Sequence, residues 1–153
     1  MPKTAINFFI PTAEDVKGIL TVLHEVYTPF TADFIPSALY ETSASIMGKL
    51  TCWRIAKYDS QIIAAVLFEQ EEDNLTFSYL SVLPKFRCQG IASELLNIIC
   101  KEENNQSQLP IIIALRRSLI TNIHFFTQRG FEYLGPFDNR KHDFYILRSG
   151  ENQ

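Results

Sequence analysis

The stretch Val82–Ser93, V-L-P-K-F-R-C-Q-G-I-A-S, constrains the fold more than any other part of the chain. A strand-forming run, Leu75–Val82, is halted at Pro84, which has no backbone N–H to donate and disfavours helix at Leu83. Two basic residues, Lys85 and Arg87, come next, then Gly90 and a helix that opens at about Ile91. Strand, basic turn, glycine and helix N-terminus together make an anion site. The unpaired N–H groups of a first helical turn and the helix dipole both favour a phosphate there. Gly90, with no Cβ, lets the backbone approach such a ligand closely. With its single glycine, the segment matches neither the G-x-x-x-x-G-K-[ST] phosphate loop nor the G-x-G-x-x-G dinucleotide fingerprint.

The chain has 153 residues, 46% hydrophobic and 20% charged, which suits one globular domain spanning 1–153. A net charge of −3 leaves no basic footprint for nucleic acid, so Lys85 and Arg87 are a local positive spot on an acidic protein. Three cysteines, Cys52, Cys88 and Cys100, lack C-x-x-C spacing and fit reduced thiols better than a disulfide frame or a zinc site. No metal is expected. Met1–Phe9 lacks the apolar core of a signal peptide, and no apolar run nears the ~20 residues of a membrane span. The expected setting is cytoplasmic, away from membranes.

Along the chain, Ile6–Ile10 reads as a first strand, and Thr12-Ala-Glu-Asp15 as a capping-box start. Val16, Ile19, Leu20, Leu23, Val26 and Tyr27 then give an amphipathic helix despite Gly18, which costs about 1 kcal/mol relative to Ala if exposed. Thr28–Ile35 is a loop carrying Phe30 and Phe34. A second helix is predicted from Pro36 or Ser37 to about Lys49, with Leu39, Tyr40, Ile46, Met47 and Leu50 as its apolar face. Thr51–Tyr58 alternates as a strand, Asp59-Ser60 turns, Ile62–Phe68 is an apolar strand, and Glu69–Asn74 is a solvated acidic turn before Leu75–Val82. These three strands are expected antiparallel. After the loop come a helix with Ala92, Leu95, Leu96 and Ile99 on one face, a polar exit at Lys101–Asn105 and a loop at Gln106–Gln108. Leu109–Leu115 is predicted as a buried strand parallel to Leu75–Val82. Leu119–Arg129 is a helix ended by Gly130. Phe131–Leu134 and Asp143–Leu147 form a last hairpin about a turn at Gly135–Arg140, and Ser149–Gln153 is a polar tail.

The pattern V-x-P-x-x-[RQ]-x-x-G-x-[GA], met here by Val82, Pro84, Arg87, Gly90 and Ala92, resembles the acetyl-CoA pyrophosphate loop of the GNAT N-acetyltransferase superfamily. The element order βααβββαβαββ, from about Ile6 to Arg148, is similar to that family's. The resemblance implies an α/β fold with a mixed central sheet flanked by helices, and acetyl-CoA held where the strands on either side of the loop and its helix part. It also implies an amine acceptor as partner and allows a homodimer. On the loop, the implied contacts are the N–H groups from Arg87 through Cys88, Gln89, Gly90, Ile91 and Ala92, the Arg87 charge, and Ser93. Backbone near Leu80–Val82 would hold the pantetheine and polarise the thioester carbonyl.

Asn122–Phe131 looks like the family's N-x-x-x-x-Y-x-x-x-G-F segment, which puts Asn122 and Phe125 near the pantetheine and thiol end. Otherwise Asn122 caps its helix, and Phe125, Phe126 and Phe131 are core. Phe126 stands where many members carry a tyrosine that protonates the leaving thiolate, and a phenyl ring has no proton to give. Tyr133 or Tyr145 is the substitute to consider. Thr76 and Ser78 match positions that hold a base elsewhere in the family, and neither is a useful base near neutral pH. Glu69 or Glu71 acting through water is the alternative to a plain acidic turn. No catalytic residue is assigned.

Cys88, at a position often Gly in relatives, is either a reactive thiol at a helix N-terminus or a spectator whose N–H faces phosphate. Arg116-Arg117 either reaches the 3′-phosphate or is solvated. His24 and His142 read as surface, and His124 lacks a partner at triad or metal spacing. Tyr27, Phe30 and Phe34 either line the acceptor side or are core. Two functions result: an acetyl-CoA-dependent N-acetyltransferase acting on an amine of a small molecule or peptide by direct attack on the thioester, or a catalytically degenerate acyl-CoA-binding regulator or scaffold.

Overall fold

The computed structural model describes residues 6–31, 35–101, 109–138 and 141–148. Phe34, the polar exit and loop at 102–108, residues 139–140 of the last turn and the tail at 149–153 lie outside the described residues. The strands are β1 (Ile6–Phe9), β2 (Trp53–Tyr58), β3 (Gln61–Gln70), β4 (Leu75–Val82), β5 (Ile111–Arg116), β6 (Glu132–Asp138) and β7 (His142–Leu147). The helices are α1 (Val16–Tyr27), α2 (Ser43–Met47), α3 (Ile91–Ile99) and α4 (Ile120–Thr127). The sheet is mixed and seven-stranded, in the order β1-β2-β3-β4-β5-β7-β6, with β4 and β5 parallel. This is the expected mixed α/β class. The chain divides into two compact units, one from the chain up to Leu67 plus Tyr79–Ile98, the other from Phe68–Ser78 plus the chain from Ile99.

In the first unit, the predicted cap forms: the Asp15 carboxylate accepts from the Thr12 N–H (2.9 Å) and the Thr12 hydroxyl (3.4 Å). Lys57 of β2 adds an ion pair at 2.9 Å. Burial by itself would raise the Asp15 pKa; the Thr12 N–H, Lys57 and the Thr12 hydroxyl outweigh it and hold the carboxyl below 3.8. A depressed folded pKa means the stabilisation is full above the unfolded value and fades as pH falls through the folded one. Asp15→Asn should therefore lower stability by about 1–2 kcal/mol near neutral pH. In denaturant titrations, that difference from wild type should shrink on acidification below about pH 4.

α1 buries Val16, Ile19, Val22, Leu23 and Val26, so Val22 takes the inward place expected for Leu20. Gly18 is a contact point rather than a weakness: a Cβ there would lie 2.6 Å from Ile62 Cδ1 of β3. The alternation expected of β2 gives way to an unbroken buried run, Trp53–Ala56, as in a strand covered on both faces. Arg54 lies within it, donating from Nη1 to the carbonyls of Thr51 and Trp53 (both 2.9 Å). The hairpin after β2 turns through Asp59 at φ 54°.

The predicted second helix is broken into a 3-10 turn at Ser37–Tyr40, then α2, then a 3-10 turn at Leu50–Cys52. Thr42 is the cause. It is extended (φ −125°, ψ 169°) and accepts from the Ser45 N–H, while the Ser45 hydroxyl accepts from the Thr42 N–H. That reciprocal cap starts a new helix where periodicity suggests a continuing one. Of the expected apolar face only Ile46 is buried, and Tyr40 and Met47 are exposed.

In the second unit, Leu75↔Ile111 and Phe77↔Ile113 set the parallel register of β4 and β5. β5 is not the fully buried strand expected: Ile111, Ile113 and Leu115 are buried while Ala114 is exposed. β7 lies between β5 and β6, antiparallel to both. The turn after β5 is pinned by Arg117, which grips the Asp143 carboxylate of β7 through Nε and Nη2 at 2.6–2.9 Å. α4 stops at Thr127 with its C-cap at Gln128, two residues short of the predicted end at Arg129, and Gly130 follows past the cap at φ 96°.

Candidate functional site

The site is built by the end of β4. The Leu83 N–H donates to the Ile63 carbonyl (2.9 Å), and Pro84–Phe86 makes a 3-10 turn closed by the Phe86 N–H on the Leu83 carbonyl (2.8 Å). Phe86 is buried, its ring 5.6 Å from that of Tyr58, so the turn is anchored in the first unit's core. Arg87 is extended, Cys88 is left-handed (φ 64°), and Gly90 is left-handed (φ 80°). The α3 ladder begins with the Glu94 N–H on the Gly90 carbonyl (3.0 Å), so the N–H groups of the turn before it lie outside that ladder, at the positive end of the dipole. A Cβ on Gly90 would meet nothing within 4 Å. The Arg87 N–H, expected as a phosphate donor, is spent on the Pro84 carbonyl (3.3 Å), so the backbone donors this loop can offer begin at Cys88.

Leu80, Val82 and Arg87–Ser93 share this region of the first unit. Lys85, Arg87, Cys88, Gln89 and Gly90 are exposed. Ile91 is buried, so only its backbone can face a ligand, while Ala92 and Ser93 are half-buried. The Arg87 Nε donates to the Val82 carbonyl (3.2 Å), which folds its guanidinium back over the end of β4. Cys88 carries a side chain in a conformation that suits glycine; for an ordinary residue this costs about 1–2 kcal/mol. Cys88→Gly should raise thermal stability slightly, by an amount worth up to about 1 kcal/mol, and leave anion binding intact because the N–H remains. A loss of ligand affinity in a calorimetric titration of that variant would instead mean that the thiol matters.

Asn122 and Phe125 lie on α4 in the second unit. Leu119 occupies the N-cap, so Asn122, exposed in the first turn, does not cap the helix. Phe125 has the Arg129 guanidinium 3.6 Å above its ring and meets Phe126 edge-on at 5.1 Å. Phe126 is buried and also meets Phe131 edge-on (5.3 Å), making it a core ring. Arg117 is committed to Asp143, which removes it from the phosphate reading. The Thr76 hydroxyl donates to the Glu69 carbonyl (3.5 Å), and Glu69 is the end of β3 rather than part of a turn. Tyr145 is buried with Tyr133 edge-on at 5.8 Å, and Tyr133 is exposed. His24 and His124 are exposed; His142 opens β7, its ring 6.2 Å from Phe137, instead of sitting in the turn. Among the described residues no three His, Cys, Asp or Glu are grouped to hold a metal, and no helix is long and apolar enough to cross a membrane.

Sequence reading missed Tyr79. It is left-handed (φ 58°) inside β4, and its ring stacks on that of the fully buried Trp53 (6.3 Å, 24°). The backbone on either side is tied down: the Ser81 hydroxyl donates to the Tyr79 carbonyl (2.7 Å) and the Tyr27 hydroxyl to the Leu80 carbonyl (3.3 Å). Burial raises the Tyr79 pKa; Ser37 opposes that, the Glu41 carboxylate adds to it and Lys49 opposes it again. Tyr27, expected at an acceptor side or in the core, is therefore a brace for β4, and burial pushes its phenol up. The one local signal for the kink was Ser81, whose hydroxyl can reach back two residues to the backbone.

A family model described as Acetyltransferase (GNAT) domain matches residues 49–133. No curated protein sequence matches the chain. Among solved structures, the PaiA N-acetyltransferase from Thermoplasma acidophilum in complex with coenzyme A is similar, with a TM-score of 0.83 and 16% identity over 94% of this chain and 98% of that one. Ard1 from Thermoplasma volcanium gives a TM-score of 0.74 at 13% identity, covering 95% and 97%. N-acetylglutamate synthase from Neisseria gonorrhoeae, complexed with coenzyme A and N-acetyl-glutamate, gives 0.77 at 13% identity. The match covers 95% of this chain but only 35% of that longer one.

Proposed function

The chain belongs to the GNAT acetyltransferase family, and from that premise we propose that it moves the acetyl group of acetyl-CoA onto an amine of a small molecule or a peptide. The loop after β4 carries this reading: backbone donors at the start of α3 face the open space in front of Gly90, with Lys85 and Arg87 beside them. Coenzyme A in two of the similar structures supports its pyrophosphate as the anion. The N–H groups from Cys88 to Ala92, the Arg87 charge and Ser93 would hold that pyrophosphate, the Arg87 N–H itself being taken by the Pro84 carbonyl. Backbone N–H groups of Leu80–Val82 would hold the pantetheine and draw charge onto the thioester oxygen. Asn122 and Phe125 join the site on the strength of the motif alone.

In the reaction, the amine lone pair attacks the thioester carbon. The N–C bond forms, the C–S bond breaks, and the amine proton leaves to regenerate the coenzyme A thiol. Positioning the two reactants removes much of the barrier, and no side chain is assigned as acid or base. The burial of Phe126 in an aromatic cluster favours a second reading, an acyl-CoA-binding protein without turnover. Calorimetry with acetyl-CoA, together with mass spectrometry of an amine panel, separates the two. Binding with an acetylated product supports the transferase; binding with no product from any amine supports the second reading; no binding sinks both.

A further inference from the structure

Three side chains close on the backbone carbonyls at the end of β4. The Ser81 hydroxyl donates to the Tyr79 carbonyl (2.7 Å), the Tyr27 hydroxyl to the Leu80 carbonyl (3.3 Å) and the Arg87 Nε to the Val82 carbonyl (3.2 Å). α1 supplies the second of these from 53 positions away. The Leu83 N–H goes to the Ile63 carbonyl of β3, so by the alternation of a strand Leu80 and Val82 turn their N–H and C=O groups to the side away from β3. The edge of a strand ordinarily offers donors and acceptors in turn. On this edge the Leu80 and Val82 carbonyls are engaged, one by a phenol and one by a guanidinium, and the Val82 N–H stands between them. What the edge offers a ligand is therefore its N–H groups. Arg87 commits one N–H of five to this and keeps the rest for a phosphate, whereas Tyr27 has a single proton and spends it on Leu80.

We propose that Tyr27 is a positioning residue for acyl transfer: by engaging the Leu80 carbonyl it makes this edge of β4 a donor surface for the thioester oxygen. The proposal rests on the acetyltransferase reading above. With the phenol proton gone, the Leu80 carbonyl turns its negative end to the same side as the Val82 N–H. There it repels the oxygen on which charge develops and competes for any N–H of the pantetheine arm. The repulsion grows as the amine attacks, so turnover suffers more than affinity.

The test compares wild type, Tyr27→Phe and Val22→Ala. Phenylalanine keeps the ring and removes only the hydroxyl; Val22 is buried in α1 at 1% exposure and controls for a general loss of packing. Acetyl-CoA isotope-labelled at the thioester carbonyl is bound to each and its carbonyl stretch read by difference infrared spectroscopy, with affinity from calorimetry. Tyr27→Phe should move the stretch to higher frequency than in wild type, as a weakened donor contact requires. Its acetyl-CoA affinity should stay within about threefold, while kcat with an amine that wild type acetylates falls about five- to twentyfold. Val22→Ala should lower the melting temperature and leave the stretch in place. An unmoved stretch in Tyr27→Phe, or the same movement in Val22→Ala, overturns the proposal. Acetyl-CoA binding by wild type with no product from any amine is distinct from both; it ends the acetyltransferase reading and this proposal with it.

Discussion

Gly90→Asn is expected to leave the protein folded and to cut its affinity for acetyl-CoA at least about a hundredfold, the worth of roughly two charge-assisted backbone contacts. The reasoning separates backbone from side chain. Gly90 is left-handed at φ 80°, and asparagine accepts that conformation better than other L-residues, so the fold cost stays near 1 kcal/mol. A Cβ there meets no protein atom within 4 Å, so nothing inside the protein resists the new side chain. That space is the approach proposed for the pyrophosphate, and the side chain would occupy it. Gly90→Arg should be at least as damaging despite its positive charge, because bulk in front of the donors outweighs attraction. Calorimetric titration with acetyl-CoA, beside a thermal melt of each variant, checks both halves. Unimpaired binding by folded Gly90→Arg would remove the loop from the cofactor site.

Trp53→Ala is expected to be the most destabilising of the substitutions considered, by about 3–5 kcal/mol. Trp53 has no exposed surface and stacks on Tyr79. Truncation leaves a large void that neighbours on two covered strand faces cannot close. For a chain of this size the melting temperature should fall by about 10 °C or more. Trp53→Phe should recover most of that loss, and far-ultraviolet circular dichroism reads both, since Trp53 is the sole tryptophan. A fall of only a degree or two for Trp53→Ala would contradict the buried placement.

The boundaries that sequence reading found best are those made by local backbone chemistry. β4 ends at Val82 and α3 opens at Ile91 because Pro84 and Gly90 act on their immediate neighbours. The cap at Thr12 is of the same kind. The second helix was misread because periodicity at Leu39, Ile46 and Leu50 hid a start signal at Thr42–Ser45 that lay inside the expected span. Tyr79 was illegible for a different reason. A period-two pattern says which face a residue takes, and nothing in it marks a left-handed residue whose neighbours are held by Ser81 and by a tyrosine 53 positions away from Leu80. Arg117 was half legible: its charge was plain, but the partner Asp143 lies 26 positions on. The anion loop was thus readable from short-range rules, whereas the groups around Tyr79 required the fold.

The place of β7 between β5 and β6 bears on how the sheet is completed. β6 follows β5 in the chain but does not pair with it, so until β7 is seated β6 has no partner and β5 keeps one edge unpaired. The strand that joins them follows both in the chain, and it must enter a gap with a partner on each side. Until β7 pairs, Ile111, Ile113 and Leu115 line a strand whose open edge is a template for another chain. Aggregation is therefore expected to be most acute in folding intermediates in which β7 has not yet entered the sheet, and to fall once it pairs.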